Sequence, residues 1–145
     1  MAARLVTRAL GRSDTEAALE LYGILTLGPK PTRPETFHRV IEHHGTTVFG
    51  CCLGSELVAM VTLHILPNVT MHGRPYALIE NVVTHDAHRN RGYGRLALKA
   101  AEEAAWAADT YKIMLLTGQK RNAKAFYEAC GFSSEDKHGM VLRRA

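Results

Sequence analysis

The sequence predicts an α/β domain built on a mixed sheet, and three observations carry that prediction. Short runs rich in valine, leucine and threonine alternate along the chain with alanine- and leucine-rich runs of helical period. Residues 47–53 and 57–66 flank Gly54-Ser55-Glu56 as a hairpin would. An apolar run, Ala77-Leu78-Ile79-Glu80-Asn81-Val82-Val83-Thr84, leads through Arg89-Asn90-Arg91-Gly92-Tyr93-Gly94 into a long alanine-rich helix. At 145 residues, with 46% hydrophobic and 22% charged residues, the chain has the size and composition of one packed domain spanning 1–145.

The elements follow in order. Residues 4–9 alternate as a strand and pass through Gly11-Arg12 to a helix that Ser13 is expected to cap, with Glu16 three residues on. Ala17, Leu19, Leu21, Ile24 and Leu25 supply its buried side, ending near Thr26. Three prolines within residues 27–34 dictate a loop, followed by a short helix over 35–44. The hairpin comes next, then a loop over 67–75 bending at Gly73, then the strand Tyr76–Thr84. The helix over 92–108 carries Ala97, Ala100, Ala101, Ala104, Ala105 and Ala108, small residues that favour helix and let the backbone approach the sheet. A buried strand over 112–116, a helix over 121–130 stopped by Gly131 and a last strand over 138–143 complete the order β-α-α-β-β-β-α-β-α-β.

The turn at 89–94 is the richest chemical signal. A strand, a turn with two glycines and a helix start gather unpaired backbone N–H groups around one concavity, with the positive end of the helix dipole behind them. That arrangement suits phosphate. Arg89, Arg91 and Arg95 add charge, and the glycines permit close approach. An ordinary basic turn matches the same short pattern. The dinucleotide fingerprint of doubly wound folds fits less well, because Gly92 and Gly94 come late in the chain rather than after its first strand.

Downstream, Ala123-Lys124-Ala125-Phe126-Tyr127-Glu128-Ala129-Cys130-Gly131-Phe132 resembles the C-terminal signature of the GNAT superfamily of acetyl-CoA-dependent N-acetyltransferases, and Arg89 to Gly94 resembles its pyrophosphate loop. The two motifs stand in the family's order and spacing. Ser13-Asp14-Thr15-Glu16 resembles the start of its first helix, so the likeness covers nearly the whole chain. The resemblance implies a GNAT-type, mostly antiparallel sheet flanked by helices. It implies acetyl-CoA as cosubstrate, with Val82, Val83 and Thr84 along the pantetheine arm. The amides of Asn90, Arg91, Gly92, Tyr93, Gly94 and Arg95 would then lie on the diphosphate, with Arg89 closing the loop. It also implies that Tyr127 protonates the departing thiolate, whereas helical spacing alone reads Tyr127 as a flanking aromatic beside a core Phe126.

Glu80 is the candidate base. A carboxylate in an otherwise apolar strand is expected to be desolvated and so brought toward a useful proton affinity, or to bind a substrate ammonium directly; an outward-facing edge residue is the alternative. Glu80-Asn81-Val82-Val83 is similar to the Glu-Asp-Val-Val stretch of glucosamine-6-phosphate N-acetyltransferases, with Asn81 in place of the aspartate. Many relatives carry an asparagine where this chain has Lys120; with Arg121 and Lys124 it offers either a phosphate contact or a solvated helix start.

Other classes are disfavoured. The net charge of +4 is modest and sits largely near the phosphate loop, and aromatics are not interleaved with Lys and Arg, so nucleic acid is not the expected partner. No apolar run reaches the roughly 20 residues that span a bilayer, and the N-terminus lacks a signal-peptide core, so a cytoplasmic setting without membrane contact is expected. Three cysteines, two adjacent at Cys51-Cys52, read as buried thiols, and Cys130 as a packing residue rather than a nucleophile. His43-His44 and His85 with His88 have no acidic or cysteine partner at ligand spacing and read as solvated loop or helix-end residues, so no metal is expected. The function expected is acetyl transfer to a primary amine of a small molecule, an amino sugar among the candidates. The alternatives are a protein or peptide acetyltransferase and a catalytically silent coenzyme-A-binding module. The resemblance also allows a homodimer.

Overall fold

The computed structural model describes residues 2–145. Its regular elements are β1 (Leu5–Ala9), α1 (Thr15–Leu25), α2 (Pro34–Glu42), β2 (Thr46–Leu53), β3 (Glu56–Leu66), β4 (Tyr76–Thr84), α3 (Tyr93–Ala107), β5 (Ile113–Leu115) and α4 (Lys124–Ala129). The expected α/β class and element order hold through α4, around a five-stranded sheet ordered β1-β2-β3-β4-β5. The strand expected over 138–143 is absent among the described residues. Met140, Val141 and Leu142 are exposed there, so the apolar residues that suggested a strand find no sheet to join. Two compact units are present, one running to Met114 and the other spanning Leu115–Ala145.

In the larger unit the first four strands pair antiparallel. The register lines up rows of side chains on one face: Gly50, Met60 and Val83; Val48, Thr62 and Glu80; Thr46, His64 and Leu78. That face carries α1 and α2. Leu21 and Phe37 pack there with Val48, Met60 and Val83 in one core cluster, each large side chain contributing about 1.5–3 kcal/mol by burial. α3 packs against β2, β3 and β4, and its buried stripe of Gly94, Ala97, Leu98, Ala101 and Ala105 has the helical repeat that the alanine spacing foretold.

Local departures have physical causes. The start of α1 is organised by Asp14 rather than Ser13: Asp14 Oδ2 accepts from the Gly11 N–H at 2.8 Å while both its oxygens take Arg8 in a fork, which holds the carboxyl below its ordinary range. α2 ends at Glu42, and α4 begins only at Lys124, after a 3-10 turn over Gln119–Arg121. β5 is half-buried rather than buried. Cys51 and Cys52 are buried as expected.

Candidate functional site

The geometry of the site begins with an irregularity in β4. Between the pairs Thr62↔Glu80 and Met60↔Val83, β3 supplies only Val61 while β4 supplies Asn81 and Val82. This is a β-bulge, and Asn81 takes the left-handed conformation at φ 53° that asparagine tolerates better than a β-branched residue. The extra residue changes the parity of the strand. Glu80 and Val83, three apart, face the same side of the sheet instead of opposite sides. A regular strand over Tyr76–Thr84 had been expected; the signal for the bulge was an asparagine among valines and isoleucine.

Past the bulge, β4 delivers the chain to the phosphate-loop residues. A 3-10 turn over Asp86–His88 follows the strand, Asn90 and Gly92 adopt φ 63° and 82°, and α3 begins at Tyr93 with Gly92 as its cap. Leu96 N–H donates to Gly92 O at 3.1 Å, so the amides of Tyr93 and Gly94 lie ahead of the helical hydrogen-bond ladder. Gly94 is buried against the strand end, where a Cβ would stand 2.8 Å from Thr84 Oγ1. The two glycines therefore serve different needs: Gly92 supplies a backbone conformation and Gly94 supplies space. Arg89 Nη2 meets Asp86 Oδ1 at 2.7 Å, closing the loop on itself, while Arg91 and Arg95 are exposed.

The turn is also tied to two other elements. His85 Nε2 lies 3.2 Å from Glu20 Oε1 of α1, and its Nδ1 accepts from the Ala87 N–H. His88 Nε2 lies 3.0 Å from Glu56 Oε1 at the start of β3, with its ring against His85 and Tyr93. These acidic partners, with both rings half-buried, correct the expectation that the two histidines are solvated. Glu20 and Glu56 are too distant in sequence for spacing to reveal them.

Glu80 is exposed, so the premise that it is desolvated inside the strand does not hold. It faces the α1/α2 side, in register with buried Thr62, and burial pushes the Tyr22 phenol of α1 up, with the Thr62 hydroxyl acting in the opposite sense. Of the residues expected along the pantetheine arm, Val83 is buried in the core cluster, which leaves only its backbone for a ligand; Val82 and Thr84 are half-buried. Where β4 begins, it bonds to the chain entering β5: Tyr111 N–H donates to Pro75 O and Ala77 N–H to Lys112 O, each at 3.0 Å.

In the smaller unit, Tyr127 lies on α4 with its ring edge-on to Phe126 and Phe132, at centroid distances of 5.1 and 6.1 Å. Burial, and after it the nearby Cys130 thiol, push its phenol above the ordinary value, with Arg121 acting in the opposite sense. Gly131 at φ 97° ends the helix as expected, and Phe132 N–H donates back to Tyr127 O at 3.0 Å. Phe126, expected in the core, is exposed.

The structure thus brings Glu80, Val82, Val83, Thr84 and residues 89–95 into one stretch from the bulge to the first turn of α3. What sequence reasoning missed are Asn81 as the bulge residue, Thr62 in register with Glu80, and the carboxylates that hold the turn. Among the described residues, no helix is long and apolar enough to cross a membrane.

Known proteins share this architecture. The chain is 42% identical to a structure from Agrobacterium tumefaciens str. C58 described as an acetyltransferase, with a TM-score of 0.90 over 96% of this chain and 99% of that one. It is 29% identical over 137 residues, 92% of each chain, to glucosamine 6-phosphate N-acetyltransferase of Trypanosoma brucei brucei. The crystal structure of glucosamine-6-phosphate N-acetyltransferase from Arabidopsis thaliana, at 20% identity, shares the fold with a TM-score of 0.81 over 96% of this chain and 98% of that one. The model of the acetyltransferase (GNAT) family matches residues 14–132, most of the length, and with it the bulged strand and glycine turn described above: the chain belongs to the GNAT family of acetyltransferases.

Proposed function

We propose that this acetyltransferase takes its acetyl group from acetyl-CoA and transfers it by direct attack to a primary amine of a small molecule, amino sugars being the first class to test. The observation that carries the reading is the joint between β4 and α3, where first-turn amides precede the helical ladder and Gly94 leaves no Cβ beside Thr84. A diphosphate suits that joint because anions favour helix N-termini and backbone donors. Asn90, Arg91, Gly92, Tyr93, Gly94 and Arg95 would hold it through their amides, Arg89 would brace the loop through Asp86, and Val82, Val83 and Thr84 would present backbone to the pantetheine arm.

The chemistry needs little from the protein beyond placement, which supplies most of the rate in such reactions. An ammonium substrate gives up a proton, the amine nitrogen forms a bond to the thioester carbonyl carbon, and the carbon–sulfur bond breaks as the thiolate leaves with a proton. Glu80, accessible on the acceptor face, binds the ammonium or takes its proton through water. Tyr127 donates the proton to the thiolate, and the upward push on its phenol keeps that proton in place at neutral pH. A single domain acting in the cytoplasm, with no metal and no acyl-enzyme, completes the reading.

The amino-sugar suggestion rests on the Trypanosoma relative and on the Glu80-Asn81-Val82-Val83 stretch. A thiol-release assay with acetyl-CoA and a panel of amino sugars, polyamines, amino acids and peptides tests it. Turnover on a small amine supports the proposal; turnover confined to peptides would make the chain a protein acetyltransferase, and tight binding without turnover would make it a coenzyme-A-binding module.

A further inference from the structure

Acetylating an ammonium releases one net proton per turnover, since the thiol leaves protonated and the amide nitrogen keeps only one hydrogen. That proton has to pass from the acceptor site to solvent. Thr46 and His64, paired on one face of the sheet, and His43 at the end of α2 offer a route. Thr46 is buried, and its Oγ1 lies 2.8 Å from His64 Nδ1 and 3.0 Å from His43 Nδ1. His64 is half-buried and His43 is exposed. The register puts His64 opposite Leu78 on β4, two residues from Glu80, so His64 and Glu80 are diagonal neighbours on one face, about 7–8 Å apart by strand geometry. A bridging water between the two side chains would complete the path.

The hydroxyl decides the protonation pattern. Thr46 has one proton, so with both imidazoles bonded it donates to one Nδ1 and must accept from the other. One histidine then carries its hydrogen on Nδ1 and the other leaves Nδ1 bare. When His64 is the Nδ1–H partner, its Nε2 is left bare, and His43 carries a hydrogen on Nε2 at the surface.

Resting on the acetyl-transfer reading, we propose that His64, Thr46 and His43 form a proton relay that carries the substrate's proton from the Glu80 side of the site to solvent. A proton arriving at His64 Nε2 is matched by transfer of the Nδ1 proton to Thr46 Oγ1. The threonine's own proton passes to His43 Nδ1, and the His43 Nε2 proton leaves to water. No bond other than O–H and N–H is made or broken, and exchange with solvent after product release resets the tautomers. His64 receives the proton; Thr46 and His43 act through it.

The test pairs kinetics with nitrogen-detected NMR of the imidazoles in the full chain. Thr46→Val keeps the shape and removes the hydroxyl; kcat is expected to fall roughly tenfold, less than the hundredfold or more of a full general base, with acetyl-CoA affinity unchanged. Thr46→Ser restores the rate, and added imidazole partly restores His43→Ala, neither of which a packing role would produce. In the wild type, NMR is expected to show His64 with its hydrogen on Nδ1 and His43 with Nδ1 bare, a pairing lost in Thr46→Val. A Thr46→Val enzyme that folds, binds acetyl-CoA and turns over within twofold of wild type overturns the relay alone, as does finding His64 with Nδ1 bare in the wild type. Complementary tautomers in a wild type that acetylates no amine would instead overturn the acetyl-transfer reading, and the relay's purpose with it.

Discussion

Gly94→Ala is the sharpest probe of the joint between β4 and α3. The added Cβ would stand 2.8 Å from Thr84 Oγ1, closer than carbon and oxygen approach without displacement, and Thr84 is β-branched and stiff at its first torsion. Overpacking of this kind costs about 1–3 kcal/mol, while alanine regains about 1 kcal/mol of helix propensity over glycine. The net effect on folding is therefore a loss of at most about 2 kcal/mol. Binding should suffer more. If the helix start moves enough to withdraw one amide from the diphosphate, one hydrogen bond to a charged group is lost, worth about 1.5–3 kcal/mol, or roughly a tenfold to hundredfold weaker Kd for acetyl-CoA. Calorimetric titration and thermal melts on the same samples separate the two effects. Thr84→Ala in the Gly94→Ala background removes the obstructing oxygen and should return most of the affinity. Gly92→Ala is the contrast: no atom lies within 4 Å of its Cβ, but φ is 82°, so its strain should not respond to Thr84→Ala. Wild-type affinity in Gly94→Ala, or a defect that Thr84→Ala leaves untouched, would refute the reasoning.

Three further outcomes follow from named residues. Tyr127→Phe should lower kcat about a hundredfold with acetyl-CoA affinity unchanged; because the phenol is pushed up, the alkaline fall in wild-type rate that reports its loss of a proton should lie above the ordinary tyrosine value of about 10, and steady-state kinetics across pH would show both. Asn81→Val places a β-branched residue at φ 53° and should cost about 1–2 kcal/mol by denaturant unfolding, whereas Asn81→Gly should be nearly neutral. Asp14→Asn removes the fork to Arg8 and weakens the bond from Gly11, a loss of about 1–2 kcal/mol at pH 7. Since the Asp14 carboxyl is held below its ordinary value, its contribution is present above about pH 4 and disappears as pH falls through the lowered value, so wild type and variant should converge in acid melts.

What the sequence revealed and what it hid divide along one physical line. Local signals were legible: Gly54 and the hairpin, the alanine stripe of α3, Gly131 as helix stop and the glycine turn after β4 all depend on residues close in sequence. Burial and long-range partners were not. Glu80 sits among apolar neighbours along the strand yet faces solvent, because exposure is decided by what α1 and α2 leave uncovered and not by strand composition. His85 and His88 looked solvated, since Glu20 and Glu56 reach them only through the fold. The apolar residues of 138–143 suggested a strand, but strand propensity is fit to a partner edge, and among the described residues no strand forms there.

The central claim is that the amides between residues 89 and 95 hold a diphosphate. Calorimetric titration of the wild-type protein with acetyl-CoA and, separately, with acetyl-pantetheine, which keeps the thioester and lacks the diphosphate, tests it most directly. Saturable one-to-one binding of acetyl-CoA, with affinity at least tenfold greater than for acetyl-pantetheine, is the predicted result. Equal affinities for the two, or no heat with acetyl-CoA, would contradict it.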